Sequence, residues 1–181
     1  LLVFSTVSGA VQVIVSTVDN LYDRTAVTGN WEIHQKYLLQ VRLYNDGAAG
    51  QQFNRVEANL DYYATKFDLL TQSDQISGWT ATNFFSANNG HIQYQRAANT
   101  QAGEPALNIP AGGYYTIYEL VLRVKAVSLG STSCTLDPNF SHVLFNISDL
   151  TGSLHSLLVQ VLADITPPVT RVLPAGNIHF N

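Results

Sequence analysis

Apolar and polar side chains alternate with a period of two in three long stretches of the chain, at residues 37–43, 56–62 and 118–126. Successive side chains of a β-strand point to opposite faces, so each stretch predicts a strand with one buried face. Charged and amide side chains occupy the opposite face in all three. The predicted core residues are Tyr37, Leu39, Val41, Val56, Ala58, Leu60, Leu120, Leu122 and Val124.

Shorter alternating or β-branched segments lie between these stretches. They predict further strands at residues 66–70, 79–85, 91–96, 131–136, 142–147 and 154–163. Gly, Asn, Asp and Pro separate them at the spacing typical of a sandwich, and no window has a sustained helical period. The pattern therefore predicts an all-β sandwich of about 8–10 strands.

The first eighteen residues carry no charge and are rich in β-branched side chains. Valines alternate with other residues over 11–16, which favours a strand over a membrane-spanning helix. Two interpretations stay open. The segment could be an extended arm that completes the sandwich of a neighbouring subunit, or 11–18 could be the chain's own first strand, leaving 1–9 to connect subunits. The proposed arm residues are Leu1, Leu2, Val3, Phe4, Val7, Val11, Val13 and Val15.

The chain divides into three parts by sequence. Residues 1–18 form the apolar arm or first strand, 19–165 the sandwich, and 166–181 a proline-containing tail or linker. The last boundary rests on Pro167 and Pro168, because proline cannot donate to a central sheet ladder.

Charge adds a constraint on partners. Lys and Arg total 9 against 13 Asp and Glu, giving a net charge of −4, and basic residues do not cluster. This composition argues against a nucleic-acid partner and against a patch for anionic membranes. Charged residues make up only 12% of the chain, so Ser, Thr, Asn, Gln and Tyr carry the polar surface. That surface is typical of extracellular β proteins, and we expect a secreted or cell-surface protein.

Catalytic and metal-binding motifs are absent from the sequence, and the five histidines are scattered. Glu57 and Asp61 share a strand face, but four residues separate them by about 13 Å at 3.3 Å per residue. This is too far for the usual pair of glycosidase carboxylates. Cys134 is the one cysteine and is expected to be a buried thiol. We expect neither enzymatic activity, nor a metal, nor a cofactor.

Aromatic and asparagine residues supply the remaining candidate sites. Trp31 and Trp79 could stack against sugar rings if exposed, as could Phe84 and Phe85. Asn139 and Asn146 each begin an Asn-x-Ser triplet and are possible glycosylation sites.

The segment NRVEANLDYYATKFDLL resembles the signature of cohesin-type modules, in which a strand of the form hydrophobic-x-A-x-L-x-Y runs into a D-P-x-K-L turn. The first pattern is filled by Val56, Ala58, Leu60 and Tyr62. Ala64 stands where the family has proline, and Phe67 stands where it has leucine. Two later segments, NNGHIQYQRA and YTIYELVLRVKAVSLGSTSCTL, are similar to further cohesin strands and follow in the family's order.

This resemblance covers roughly residues 31–165 and implies a jelly-roll-like β-sandwich from a bacterial extracellular scaffold or surface protein. It also implies a binding module that recognises a dockerin-type protein or a polysaccharide. The apolar arm favours a different function, a homo-oligomeric or filament-forming subunit joined by its N-terminal strand. A viral jelly-roll capsid protein is a further alternative. The position of residues 1–18 discriminates between the first two.

Overall fold

The computed structural model describes residues 11–20, 30–125 and 132–162, which form fourteen strands and one short 3₁₀ helix, Thr100–Ala102. The strands are β1 (Val11–Asn20), β2 (Asn30–Glu32), β3 (Lys36–Asn45), β4 (Gln51–Phe53), β5 (Arg55–Asp61), β6 (Phe67–Asp74), β7 (Thr82–Asn88), β8 (His91–Ala97), β9 (Leu107–Ile109), β10 (Tyr114–Val124), β11 (Thr132–Phe145), β12 (Ser148–Asp149), β13 (Thr151–His155) and β14 (Leu157–Leu162).

Two main sheets contain most of these strands. The first has the order β13-β1-β3-β10-β6, and the second has the order β2-β14-β11-β5-β8-β7, with β12 paired to β11. Strands β4 and β9 form a separate two-stranded sheet. Ten of the fourteen strands are five residues or longer. The predicted all-β sandwich is confirmed.

The core lies between the two main sheets and follows the predicted alternation. All nine predicted core residues are buried, and so is Cys134. Leu60 and Leu122 have no exposed surface, whereas their neighbours Asp61 and Arg123 are exposed. A one-residue slip would have reversed these faces, so the predicted register is confirmed.

Strand β1 belongs to the chain's own sandwich. It pairs antiparallel with β3, with Val13 opposite Leu43, and parallel with β13. Val11, Val13 and Val15 are buried in the same core as the other strands. Assigning these three valines to a neighbouring subunit was therefore wrong. The other proposed arm residues, from Leu1 to Val7, lie outside the described residues, as does the predicted tail 166–181.

Strand β11 joins two segments that the sequence separates. Its residues up to Leu136 pair with β14, and its residues from Asp137 pair with β5, with a bulge between Asn139 and Ser141. Pro138 sits in the ladder opposite Leu60, just beyond the last residue that pairs with β14. Beyond Leu136, no strand among the described residues pairs with β11 on the side that β14 occupies before it, so the N–H that proline lacks is not needed there and the strand continues.

The turn between β7 and β8 depends on Asn89 and Gly90, which both have positive φ angles, 44° and 89°. This is the backbone of a tight hairpin turn in which Asn-Gly is the favoured pair. A Cβ on Gly90 would lie 2.4 Å from the carbonyl oxygen of Tyr62, so only glycine fits. The hairpin places β7 at the edge of the second sheet, next to β8.

Glu104 connects the loop that follows β6 to the loop that follows β8 by hydrogen bonds. Its carboxylate accepts hydrogen bonds from the Thr80 hydroxyl at 2.5 Å, the Thr80 N–H at 2.9 Å and the Asn99 N–H at 2.5 Å. These bonds, led by the one from the Thr80 side chain, lower the pKa of Glu104 from its ordinary value of 4.5.

A lowered pKa makes Glu104 stabilising when it is ionised, because the folded state binds its proton less tightly than the unfolded state. This stabilisation is present above pH 4.5 and is lost as the pH falls through the folded-state pKa. We therefore expect Glu104→Gln to be less stable than the wild type at neutral pH, with the difference shrinking in acid. Urea denaturation at neutral pH and near pH 3 measures it. A difference that stays constant between the two pH values would contradict this role of the carboxylate.

Candidate functional site

The outer surface of β11, β5, β8 and β7 carries a set of polar side chains that the strand register brings together. Across the ladders, Glu57 lies opposite both Gln95 and His142, and Asp61 lies opposite both His91 and Asp137. Phe84 of β7 lies opposite Gln95 of β8 and is 44% exposed. We call this surface the polar face; its members are Arg55, Glu57, Asp61, Phe84, His91, Gln93, Gln95, Asp137 and His142.

Hydrogen bonds hold several of these side chains across strands. The His91 Nδ1 atom lies 2.5 Å from Asp61 Oδ1, and the Asn139 side-chain amide donates to the other oxygen of Asp61. The Gln95 amide donates to Glu57 Oε1 at 2.7 Å. Because each partner sits on a neighbouring strand, the side chains are ordered by the sheet itself.

A second histidine–carboxylate contact lies at one end of the polar face. His142 Nδ1 is 3.1 Å from Asp149 Oδ2. The Thr151 hydroxyl and N–H donate to Asp149 Oδ1 at 2.6 and 2.9 Å. These two bonds, together with His142, lower the pKa of Asp149 below its usual range. This carboxylate therefore stays negatively charged at neutral pH.

A shallow pocket of about 140 Å³ opens beside Asp61. It is lined by Asp61, Tyr62, Tyr63, Thr135 and Asp137.

Within residues 11–20, 30–125 and 132–162, no group of three or more His, Cys, Asp or Glu side chains could hold a metal ion. The same part of the chain contains no helix long and apolar enough to cross a membrane.

The two tryptophans predicted to stack on sugars are buried. Trp31 has no exposed surface and stacks on Tyr37 with ring centroids 4.4 Å apart. Trp79 is 2% exposed, and its Nε1–H donates to the Pro105 carbonyl at 2.9 Å. A ring covered by the core cannot meet a glycan, so this prediction was wrong for both. Of the other two aromatic candidates, Phe84 is the exposed one.

The possible glycosylation sites differ in accessibility. Asn146 is exposed in the turn between β11 and β12, and its Oδ1 accepts from Asn54 at 2.9 Å. Asn139 is half-buried, and its amide donates to Asp61. A glycan on Asn139 would attach to the nitrogen that donates to Asp61, whereas the Asn146 side chain is exposed and bonds to Asn54 through its oxygen. Modification of either residue stays a prediction.

No protein-family model and no curated protein matches the sequence. Many solved structures match the fold, however. A type I cohesin–dockerin complex from Clostridium thermocellum contains a cohesin with a TM-score of 0.61 and 12% identity, over 84% of this chain and 99% of that one. The sixth cohesin of Acetivibrio cellulolyticus scaffoldin B, solved with a dockerin, has a TM-score of 0.56 and 10% identity, over 86% and 99%.

A cohesin module from a Clostridium perfringens family 33 glycoside hydrolase is similar to the same degree, with a TM-score of 0.56 and 12% identity over 86% of this chain and 99% of that one. These likenesses, with identities of 10–12%, establish the fold. The chain is a cohesin-type β-sandwich, as its resemblance to the cohesin signature predicts.

Proposed function

We propose that this chain is a non-enzymatic extracellular module that binds a dockerin-type protein through its polar face. The observation that carries the proposal is the cohesin-type fold, shared with domains that were solved in complex with dockerins. The structural neighbours are themselves binding modules, which supports a function in binding rather than in catalysis. Their usual place on extracellular scaffolds supports the same location for this chain.

Charge and an exposed aromatic ring favour the polar face as the contact surface. It carries the carboxylates Glu57, Asp61 and Asp137, with Asp149 at its end, against the single permanent cation Arg55. A partner surface rich in Lys or Arg would complement it. Phe84 adds an exposed ring, the type of residue that anchors protein interfaces.

The two other functions suggested by the sequence have less support. Both tryptophans that were expected to stack against sugar rings are buried in the core, so they do not support binding to a polysaccharide. Residues 11–20 do not support assembly through a donated N-terminal strand, because β1 pairs with β3 of its own sandwich. The dockerin-type partner is the function left with positive support.

Isothermal titration calorimetry against a panel of type I dockerin modules, including those of the two complexes above, tests the proposal. The informative variant is Glu57→Arg. We expect it to weaken binding by about a hundredfold, since it reverses a charge at the centre of the polar face.

Glu119→Arg is the matched control. Glu119 is also a half-buried, mid-strand glutamate whose Oε1 accepts from a glutamine, Gln40, at 2.6 Å, but it lies on the outer surface of the first sheet. We expect this variant to bind within about twofold of the wild type, since the two surfaces are on opposite sides of the sandwich. Failure of every dockerin to bind, or equal loss in both variants, would contradict the proposal.

A further inference from the structure

Strand β7 is the outermost strand of the second sheet, and one of its edges has no partner strand among the described residues. It runs seven residues, TNFFSAN, with four exposed side chains and neither a charge nor a proline. Natural sheets protect such edges with lysines, prolines or bulges, because an open edge templates pairing with another strand. Strand β7 has none of these devices.

The direction of the free backbone groups follows from β8. The Tyr62 N–H donates to the Gly90 carbonyl, and the Ala98 N–H donates to the Asn54 carbonyl. The hydrogen-bonding backbone groups of Gly90 and Ala98 therefore point toward β5. Backbone groups alternate in direction along a strand, so every second residue from 90 to 98 has its N–H and C=O on the same side. The N–H and C=O of Tyr94 therefore also point toward β5. The Tyr94 N–H indeed meets the Asn59 side chain on β5.

Phe85 of β7 lies opposite Tyr94 of β8. Because the backbone groups of Tyr94 point away from β7, this pair exchanges no backbone hydrogen bonds. The N–H and C=O groups of Phe85 point to the open edge, and those of Asn83 and Ala87 do the same. The Phe85 carbonyl meets the Gln72 side chain of the first sheet at 3.3 Å. This single long contact leaves the three N–H groups available.

We propose that this edge pairs with β7 of a second copy of the chain, antiparallel and about a two-fold axis at Phe85. Asn83 would then lie opposite Ala87 of the second copy, and Phe85 opposite its counterpart, giving about six N–H···O bonds. An uncharged strand meets its own copy without the like-charge repulsion that opposes most self-pairing. Self-complementarity of this kind is what a two-fold contact requires.

The exposed ring of Phe84 adds to the pairing. In this register it lies diagonal to Phe84 of the second copy, about 7–8 Å away between backbones, which is within reach of aromatic side chains. The contact area of a strand edge is small, below about 1,200 Å² in total, so the association is weak and depends on concentration. It joins two sandwiches through their second sheets and does not depend on the dockerin-type partner.

Sedimentation velocity of the full chain, from about 10 μM to 1 mM, measures the association. Phe84→Lys places two positive charges at the junction and removes the ring pair, and we expect it to raise the dimer dissociation constant at least about tenfold. Gln93→Lys is the control, because it adds the same charge to the same face, one strand in from the edge. We expect it to stay within about twofold of the wild type.

Amide hydrogen exchange locates the contact. The N–H groups of Asn83, Phe85 and Ala87 should become protected as the protein concentration rises, while those of Phe84 and Ser86, which point toward β8, are protected throughout. A monomer at every concentration, or equal weakening by the two lysine variants, would overturn the proposal. Protection of the three edge amides in the monomer would also overturn it, by showing that the chain covers its own edge.

Discussion

Replacing Trp31 with alanine is expected to lower the free energy of unfolding by about 3–5 kcal/mol, the usual range for removing a buried aromatic ring. Trp31 has no exposed surface, stacks on Tyr37, and meets Phe67 edge-on with ring centroids 5.4 Å apart. Its strand β2 is three residues long and pairs only with β14 among the described strands. Tyr37 and Phe67 lie on β3 and β6 of the first sheet, which their own ladders hold in place, so the cavity left by the indole closes only in part. Urea denaturation measures the change.

Trp31→Phe is the matched control. It keeps an aromatic ring against Tyr37 and removes an indole N–H that is buried without a hydrogen-bond partner in the described structure. Losing an unsatisfied donor offsets part of the lost packing, so we expect a cost below about 2 kcal/mol. An alanine variant as stable as the wild type would show that Trp31 is not packed as described.

Replacing Arg96 with methionine is the second substitution expected to have a large effect. The Arg96 side chain is 6% exposed; its Nε lies 2.8 Å from Asp74, and its Nη2 donates to the Ile76 carbonyl at 2.5 Å. Asp74 also accepts from the Tyr94 hydroxyl at 2.8 Å. Removing the guanidinium takes the cation away from the Asp74 carboxylate and leaves the Ile76 carbonyl without its donor, at a cost of about 3–5 kcal/mol. Asp74 is 25% exposed, which favours the lower end.

Arg123→Met provides the comparison, because it makes the same change in an ion pair at the surface. Arg123 Nη2 lies 2.7 Å from Asp68, and the two side chains are 46% and 32% exposed. Water screens such a pair, so we expect a loss below about 1 kcal/mol. Equal losses for the two variants would mean that burial of Arg96 adds nothing to its contribution.

The strand pattern was readable from the sequence because alternation reports burial directly. Val56, Ala58 and Leu60 alternate with charged or amide neighbours, and a sheet with one buried face leaves no other register. Strand β11 was harder, since Pro138 marks a break in most strands. It continues here because β14 ends its pairing at Leu136 and no N–H is needed beyond it.

The tryptophans show where composition fails as a guide to a site. Large aromatics carry the most apolar surface and are normally buried, and nothing local distinguishes a core ring from an exposed one. Trp31 sits in the central position of a three-residue strand, too short to display a period. Its burial depends on Tyr37 and Phe67, which only the tertiary structure brings together.

The polar face was out of reach for a related reason. The sequence shows Asp61 and His91 as outward residues of separate strands, and it does not say that β5 and β8 are neighbours. Once the sheet order is known, the register places them opposite each other. Sheet order depends on long-range pairing, which alternation within a strand cannot encode.

The polar face as the binding surface is tested most directly by nuclear magnetic resonance of the isotope-labelled chain titrated with a type I dockerin module that it binds. We expect the amide shifts that change to cluster on β5, β8 and β11, around Glu57, His91 and His142. Residues on the outer surface of the first sheet, such as Gln40 and Glu119, should keep their shifts. Changes confined to the first sheet would contradict the account and move the binding surface to the opposite side of the sandwich.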